Sequence, residues 1–228
     1  MKYGVPFSAL SLLLAYCAVT SGGWYLLLLW PAISFGLVGL GYLALGHRVF
    51  GKRTNGSMAF VPVAILFPYL LCLWAVWHIV RLVSREPAYN TLVDGVLIGR
   101  RLLSSELPAG TQTVVDLTSE FPEPAALRSV SSYIAAPMLD ASVLPPQSLV
   151  DLASRIAAAE TPVYIHCAQG HGRTGLVAAL VLLARGNAKN ADNAIELLQS
   201  SRPLVGLNGT QRASLLAASK LIQPSAVE

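Results

Sequence analysis

Residues 163–175 read VYIHCAQGHGRTG. An apolar, β-rich run ends at His166, a loop with two glycines begins at Cys167, and Arg173 closes that loop. The apolar stretch that follows, up to Ala184, has the composition of a buried central helix. A strand, a glycine-rich loop and a helix in this order form an anion cradle, because glycines let backbone N–H groups turn inward and the helix N-terminus adds partial positive charge. The segment therefore predicts a phosphate site between a strand and a helix.

The rest of the second half of the chain alternates short β-rich runs with helical patterns. The β-rich runs lie at 96–98, 113–117 and 133–134, and the helical patterns lie at 146–159, from 190 or 191 onward, and at 209–221. In the first of these helices Leu149, Leu152 and Ile156 recur at helical spacing on one face. Strands followed by helices of this length predict an α/β domain, with a central sheet flanked by helices.

The residue types in the cradle suit phosphate chemistry. A thiol at Cys167 is surrounded by dipoles that favour negative charge, so the nucleophilic thiolate is favoured. The planar guanidinium of Arg173 matches two phosphate oxygens, and the Thr174 hydroxyl can donate to the sulfur. The remaining positions of the loop are predicted to bind phosphate as well; they are Ala168, Gln169, Gly170, His171 and Gly172.

The spacing from His166-Cys167 to Arg173-Thr174-Gly175 resembles the signature loop of the cysteine-dependent protein tyrosine phosphatases. The form HCxxGxGRTG is similar to that of the dual-specificity branch. The similarity extends to an opening strand at 93–99, a second strand at 114–118 and the start of the last helix at 208–211, so it covers about 140 residues. The resemblance implies hydrolysis of phosphomonoesters through a cysteinyl-phosphate intermediate, with neither a metal nor a cofactor.

The resemblance also implies two further catalytic residues. His166 corresponds to the histidine that organises the loop around the sulfur. The general acid is expected on an upstream loop, where Asp140 lies between a β-rich run and a pair of prolines. It would protonate the departing oxygen and later activate water. Asp116, within a strand, and Asp151, on a helix, are less favourably placed alternatives.

Several assignments stay open at the level of sequence. His171 occupies a variable loop position, where it either tunes substrate preference or faces solvent. Gln211 is expected on a helix surface, and the alternative is that it helps to place water. Phosphorylated protein side chains and phospholipid headgroups are both expected as substrates, since relatives of this kind act on both. The loop has no lysine to match the extra phosphates of polyphosphoinositides. The alternative is a membrane-tethered, catalytically inactive adaptor that binds phosphate.

The first part of the chain has a different character. Hydrophobic residues make up 54% of the sequence and charged residues only 12%. Three apolar runs, at about 5–20, 24–46 and 58–80, approach or exceed the roughly 20 residues that cross a bilayer. We therefore predict an all-α transmembrane anchor over 1–85 with about three spans, followed by the catalytic domain over 86–228. A cleaved signal peptide is the alternative for the first run.

Charge and cysteine content exclude other classes. No acidic residue precedes Glu86, whereas six Lys or Arg do, and the remainder carries a small net negative charge, which argues against nucleic-acid binding. Cys17 and Cys72 lie in apolar runs and make neither a disulfide framework nor a zinc spacing. Counting basic flanks, Lys2 included, mildly favours an extracytoplasmic catalytic domain, whereas a thiolate enzyme favours a reducing cytoplasm. The expected partners are membrane lipids and a phosphorylated protein or lipid; the side of the membrane stays open.

Overall fold

The computed structural model describes residues 3–222, which leaves Lys2 outside the described residues. These residues form two compact units. The first comprises residues 3–53, 57–85 and 119–122, and the second comprises 54–56, 86–118 and 123–222. The first unit contains three α-helices, which are α1 (Gly4–Ser21), α2 (Leu29–Leu40) and α3 (Phe60–Val83).

The helices of the first unit are long and apolar enough to cross a membrane. Short 3-10 and π turns flank α2, so that its helical run extends over Gly23–Phe50, with 28 residues. With α1, of 18 residues, and α3, of 24 residues, the three segments agree with the predicted spans to within a few residues. The predicted fold of this region is therefore confirmed: it is helical, with three segments of membrane-spanning length and composition.

Small residues bring α1 and α2 close together. A Cβ atom added at Gly36 would lie 2.7 Å from the hydroxyl oxygen of Ser11, and one added at Gly39 would lie 2.5 Å from that of Ser8. The Ser11 hydroxyl also donates to the Ala32 carbonyl at 2.7 Å. Close backbone approach through glycine and serine is the usual means of packing helices in an apolar solvent, where the hydrophobic effect does not drive association.

Pro68 lies inside α3 and removes one of its backbone hydrogen bonds, because proline has no N–H to donate to the carbonyl of Ala64. The indole Nε1 of Trp30, on α2, donates to that carbonyl at 3.2 Å. The next backbone N–H, that of Tyr69, donates to the Ser34 hydroxyl at 3.1 Å. Side chains of α2 therefore satisfy backbone groups beside the proline in α3.

The second unit is built on a five-stranded sheet in the order β1-β2-β5-β3-β4. Its strands are β1 (Tyr89–Val93), β2 (Val96–Arg100), β3 (Thr113–Thr118), β4 (Ser132–Met138) and β5 (Val163–Cys167). β1 and β2 pair antiparallel as a hairpin, and every other neighbouring pair is parallel. The β-rich runs of the sequence correspond to β2–β5, whereas β1 is an additional edge strand.

Helices cover the sheet and enclose the core. They are α4 (Ala125–Arg128), α5 (Pro146–Ala157), α6 (Gly172–Ala184), α7 (Ala191–Ser201) and α8 (Gly209–Ser219). Neighbouring strand residues point to opposite faces. Val115 and Ile165 therefore join the large core with α5–α8, whereas Val114 and Tyr164 join a smaller cluster with α4. The predicted fold class, a central sheet flanked by helices, is confirmed.

The parallel strands bring the predicted site residues to one edge of the sheet. β3, β4 and β5 run in the same direction and end at Thr118, Met138 and Cys167. Loops that follow the carboxyl ends of parallel strands share one edge, which is where ligands bind in α/β sheets. Asp140 follows β4 by two residues, and the glycine-rich loop follows β5 directly.

We predict that the full chain stays in the membrane fraction through washing with high salt and then with alkali, because apolar helices of this length resist extraction. Detergent should release it. The measurement is the amount of the chain in the pellet and the supernatant after each step. Release by alkali alone would contradict the assignment of these helices as membrane spans.

Candidate active site

The glycine-rich loop joins β5 to α6 and folds around the sulfur of Cys167. The backbone N–H of Gly170 points at Cys167 Sγ, with the nitrogen at 3.3 Å. The side chain is buried, with 4% of the residue exposed. α6 begins at Gly172, before Arg173, so that its first turn lies within the loop. The helix N-terminus and the Gly170 N–H both favour negative charge at this position.

Gly170 combines a left-handed backbone conformation with a lack of space for any side chain. Its φ is 76°, in the left-handed region. A Cβ atom at Gly170 would overlap the backbone of Gly99 in β2. Gly99 in turn packs against the carbonyl of Ala88 and the hydroxyl of Tyr164. Two glycines without side chains therefore let the loop lie directly on the backbone of β2.

Arg173 and Asp140 lie side by side at this edge of the sheet. The Arg173 guanidinium donates from Nη1 to the Met138 carbonyl at 2.9 Å, and its Nη2 lies 3.4 Å from Asp140 Oδ1. The Arg173 side chain is 1% exposed, whereas the Asp140 side chain is 71% exposed. A buried cation thus lies next to a solvent-accessible carboxylate, and these two groups are chemically suited to phosphate binding and to proton transfer.

The loop that carries Asp140 is held from α8. Ala141 has a φ of 56°, a left-handed conformation that is uncommon for residues other than glycine. The Asn208 side chain donates to the Ala141 carbonyl at 3.0 Å, and the same side chain caps α8 by accepting from the Gln211 N–H at 2.9 Å. One asparagine therefore stabilises both a helix start and the residue that follows the candidate acid.

Gln211 lies in the interior, and the expectation of a helix-surface role was wrong. It is buried, its Oε1 accepts from the Asn208 N–H at 3.1 Å, and a Cβ atom at Gly172 would lie 2.9 Å from Oε1. The capping box at the start of α8 directs the side chain back toward the glycine-rich loop.

His166 lies beneath the loop in a buried polar cluster. Its ring stacks on Tyr164 with centroids 5.3 Å apart, and Nε2 lies 3.5 Å from Glu123 Oε1. Asp116 completes the cluster. One carboxylate oxygen each of Asp116 and Glu123 and one ring nitrogen of His166 lie within 4.8 Å of one another, close enough to hold a metal ion. Both Asp116 oxygens, however, already accept hydrogen bonds, from Thr118 and from the Tyr133 hydroxyl at 2.7 Å.

The Tyr133 phenol is fixed as the donor in that cluster. Burial raises the pKa of Tyr133 well above its ordinary value, and the negative charge of Asp116 raises it further. Asp116 is fully buried and engaged, so it is poorly placed to protonate a substrate. Asp151, the other alternative acid, lies on α5 and accepts from the Gln147 side chain at 3.0 Å. Of the three candidate acids, Asp140 is the one beside Arg173.

Thr174 differs from the expectation for it, and His171 has a partner that was not predicted. Thr174 Oγ1 is buried and has no hydrogen-bond partner within residues 3–222, so the predicted bond to the sulfur is not formed; the Gly170 N–H points at the sulfur instead. The His171 ring is partly exposed, and its Nε2 lies 2.8 Å from Glu86 Oε2. A role for this glutamate was not predicted from the sequence, although it is the first acidic residue after 85 residues without one.

The family model PTP-SAK, described as Swiss Army Knife protein, DSP-PTPase phosphatase domain, matches residues 100–222, which is more than half of the chain. The chain belongs to the PTP-SAK family. Its second unit therefore contains a phosphatase domain of the dual-specificity type, as the resemblance of the loop implied. The matched range begins at the end of β2 and contains the whole glycine-rich loop together with Asp140. None of the curated proteins matches the sequence.

Solved structures share the fold of this PTP-SAK domain. Human DUSP28 is 15% identical with a TM-score of 0.52, and the match covers 60% of this chain and 96% of that chain. PTPMT1 in complex with PI(5)P is 19% identical with a TM-score of 0.52, covering 60% and 97%. Tk-PTP in the active form is 22% identical with a TM-score of 0.51, covering 59% and 97%. At these identities the likeness establishes a shared fold.

We predict that Gly170→Ala destabilises the domain more than Gly186→Ala does. Both glycines have a left-handed φ, 76° and 72°, so both variants carry a conformational cost of about 1–2 kcal/mol. The added methyl group meets the Gly99 backbone in the first variant, whereas in the second it meets nothing within 4 Å. The measurement is the melting temperature of each full-length variant in detergent. Equal losses would contradict the close packing of the loop on β2.

Proposed function

We propose that the protein is a membrane-anchored phosphomonoesterase that works through a cysteinyl-phosphate intermediate. In this proposal residues 1–85 form the anchor and residues 86–228 form the catalytic domain. Membership of a phosphatase family supports the activity, and three helices long enough to span a bilayer support the anchor. The observation that carries the proposal is the arrangement at one sheet edge of a thiol facing an N–H, a buried arginine and an exposed carboxylate.

In the first step the Cys167 thiolate attacks phosphorus. A bond forms between Sγ and phosphorus, and the bond between phosphorus and the ester oxygen breaks, so that its electron pair stays on the oxygen. Asp140, in its protonated form, gives its proton to that oxygen, and an alcohol or phenol leaves. The products of the step are a phosphorylated cysteine and an Asp140 carboxylate.

The loop stabilises the charge that develops on the phosphate oxygens. The backbone N–H groups of residues 168–172 and the Arg173 guanidinium would donate to the non-bridging oxygens, for which a preformed cradle needs no reorganisation. The guanidinium can donate to two oxygens at once. Its position beside Asp140 supports a transition state in which charge is neutralised at the phosphate while a proton reaches the departing oxygen.

In the second step water replaces the sulfur. The Asp140 carboxylate accepts a proton from a water molecule, whose oxygen forms a bond to phosphorus as the bond to Sγ breaks. The electron pair returns to the sulfur, which regenerates the Cys167 thiolate, and inorganic phosphate leaves. Asp140 is again protonated, so the cycle closes without a metal or a cofactor.

The proposed substrates are phosphomonoesters on proteins or on lipid headgroups. The loop contributes one cation, Arg173, and no lysine, which suits a single phosphate group. Only residues 84–88 separate α3 from β1, a short tether that supports action close to a membrane surface. The PTPMT1 structure, which has the same fold, is a complex with PI(5)P, and this supports a lipid headgroup as one of the two proposed substrates.

We predict that Cys167→Ser abolishes turnover of a small aryl phosphate and leaves binding of inorganic phosphate largely intact, because the hydroxyl is a poor nucleophile in an unchanged cradle. Arg173→Lys should lose most of the activity, since an ammonium cannot make the two-pronged contact. The measurements are kcat and phosphate affinity of the full chain in detergent. Appreciable turnover by Cys167→Ser would exclude the covalent mechanism, and a wild type that binds phosphate without turnover would indicate the adaptor.

We predict that Asp140→Asn slows alkyl phosphates by roughly 10²–10⁴-fold and slows aryl phosphates with an acidic phenol much less. The reason is that an alkoxide needs a proton as it leaves, whereas an acidic phenolate does not. The measurement is kcat/KM for a matched alkyl and aryl pair. Asp151→Asn is the control and should remain near wild type, because Asp151 lies on α5 and bonds to Gln147. Equal effects of Asp140→Asn on both substrates would assign the proton to another group.

A further inference from the structure

Arg202 is a buried arginine that lies behind the glycine-rich loop. Its side chain is 1% exposed. Nε donates to the Gly170 carbonyl at 3.2 Å, and Nη2 donates to the Gln169 carbonyl at 3.2 Å. Nη1 donates to the Pro87 carbonyl at 2.9 Å and to Asn90 Oδ1 at 2.8 Å, and Nη2 also donates to Glu86 Oε2 at 2.7 Å. A guanidinium has five N–H donors, and here all five are used.

These bonds determine the direction of the loop N–H groups. In a planar trans peptide the carbonyl of one residue and the N–H of the next point in opposite directions. The carbonyls of Gln169 and Gly170 point toward Arg202, which donates to both. The Ala168 carbonyl accepts from the backbone N–H of Arg101 at 3.2 Å. The three successive N–H groups of residues 169–171 therefore point to the opposite side of the loop, away from the two arginines. The Gly170 N–H that points at the Cys167 sulfur is the middle one.

Glu86 holds Arg202 and the loop together. Its Oε2 atom accepts from Arg202 Nη2 and lies 2.8 Å from His171 Nε2, so one carboxylate oxygen joins the guanidinium to a loop side chain. Burial lowers the pKa of Arg202, and the charge of Glu86 opposes that shift. Charge-assisted hydrogen bonds of this kind are stronger than neutral ones, and removing one partner of a buried pair is costly.

Glu86 lies on the short segment between α3, which ends at Val83, and β1, which begins at Tyr89. Pro87, whose carbonyl accepts from Arg202, lies on the same segment, and Asn90 lies at the start of β1. Three of the groups that fix the guanidinium therefore come from the residues that directly follow the last apolar helix. The family model begins at residue 100 and does not include them.

We propose that Glu86 and Arg202 are positioning residues that turn the phosphate-binding N–H groups of the loop toward the substrate. The inference rests on the proposed function, in that the loop is taken to bind phosphate. In this arrangement Arg202 never touches the substrate: it acts through the carbonyls of Gln169 and Gly170. Glu86 acts through Arg202 and His171.

The test measures the dissociation constant of inorganic phosphate for the full chain in detergent, by calorimetry, together with kcat and KM for a small aryl phosphate. The variants are Arg202→Lys, Glu86→Ala and Glu86→Gln. Lysine has three donors for five acceptors, and alanine removes the carboxylate, so each should weaken phosphate binding roughly 10-fold. Glutamine keeps an acceptor oxygen for Arg202 and should restore most of the affinity lost in Glu86→Ala.

The control is an exposed pair of the same chemistry. Arg212 Nη2 donates to Asp192 Oδ1 at 2.9 Å, with both side chains mostly exposed. Asp192→Asn and Arg212→Lys should leave the phosphate dissociation constant unchanged. Melting temperatures identify any variant that does not fold; if Arg202→Lys is one, the comparison of Glu86→Gln with Glu86→Ala decides. A purely structural role would lower the melting temperature and leave the affinity of the folded variant unchanged.

The outcomes separate this inference from the proposed function. Wild-type protein that binds phosphate without turnover would contradict the phosphatase proposal, while weaker phosphate binding by Glu86→Ala and Arg202→Lys would still support the positioning role. Unchanged phosphate affinity in the folded variants would overturn the positioning role, whatever the turnover. A wild-type chain that binds no phosphate would overturn both.

Discussion

The whole candidate site depends on the orientation of three peptide planes in one loop. Each plane has a carbonyl on one side and the next N–H on the other. When the N–H groups face an anion, the carbonyls face the other way and need hydrogen-bond donors there. Arg101 and Arg202 provide those partners. A buried carbonyl without a donor would cost free energy. The carbonyls of residues 168–170 therefore need their donors as much as the N–H groups of the loop need an anion.

The sheet positions the backbone from which each candidate reactive group extends. β4 and β5 end at the same edge of the sheet, and the short loop after β4 carries Asp140 to the side of Arg173. The Asn208 side chain then fixes the residue after the acid from a third element, α8. The backbone beside the candidate acid, Asp140, is consequently fixed while its carboxylate stays accessible to water, which suits proton transfer.

Local patterns in the sequence predicted the parts of the fold that depend on near neighbours. The spacing of Leu149, Leu152 and Ile156 indicated α5, and the loop from Cys167 to Arg173 indicated the cradle and the helix after it. The Glu86–Arg202 pair was not predictable in this way, because 116 residues separate its members and neither belongs to a periodic pattern. Gln211 was misjudged for a related reason: the polar side chain is buried because a capping box turns it inward.

The proline in α3 has a consequence for how that helix could be used outside this protein. The Ala64 carbonyl accepts from the Trp30 indole, and the Tyr69 N–H donates to Ser34, so α2 supplies two hydrogen bonds to the backbone of α3 beside the proline. In lipid no water replaces those donors and acceptors. In a membrane, Phe60–Val83 without α2 would carry the Ala64 carbonyl into the hydrocarbon without its indole donor. A membrane segment taken from this chain would therefore need α2 together with α3.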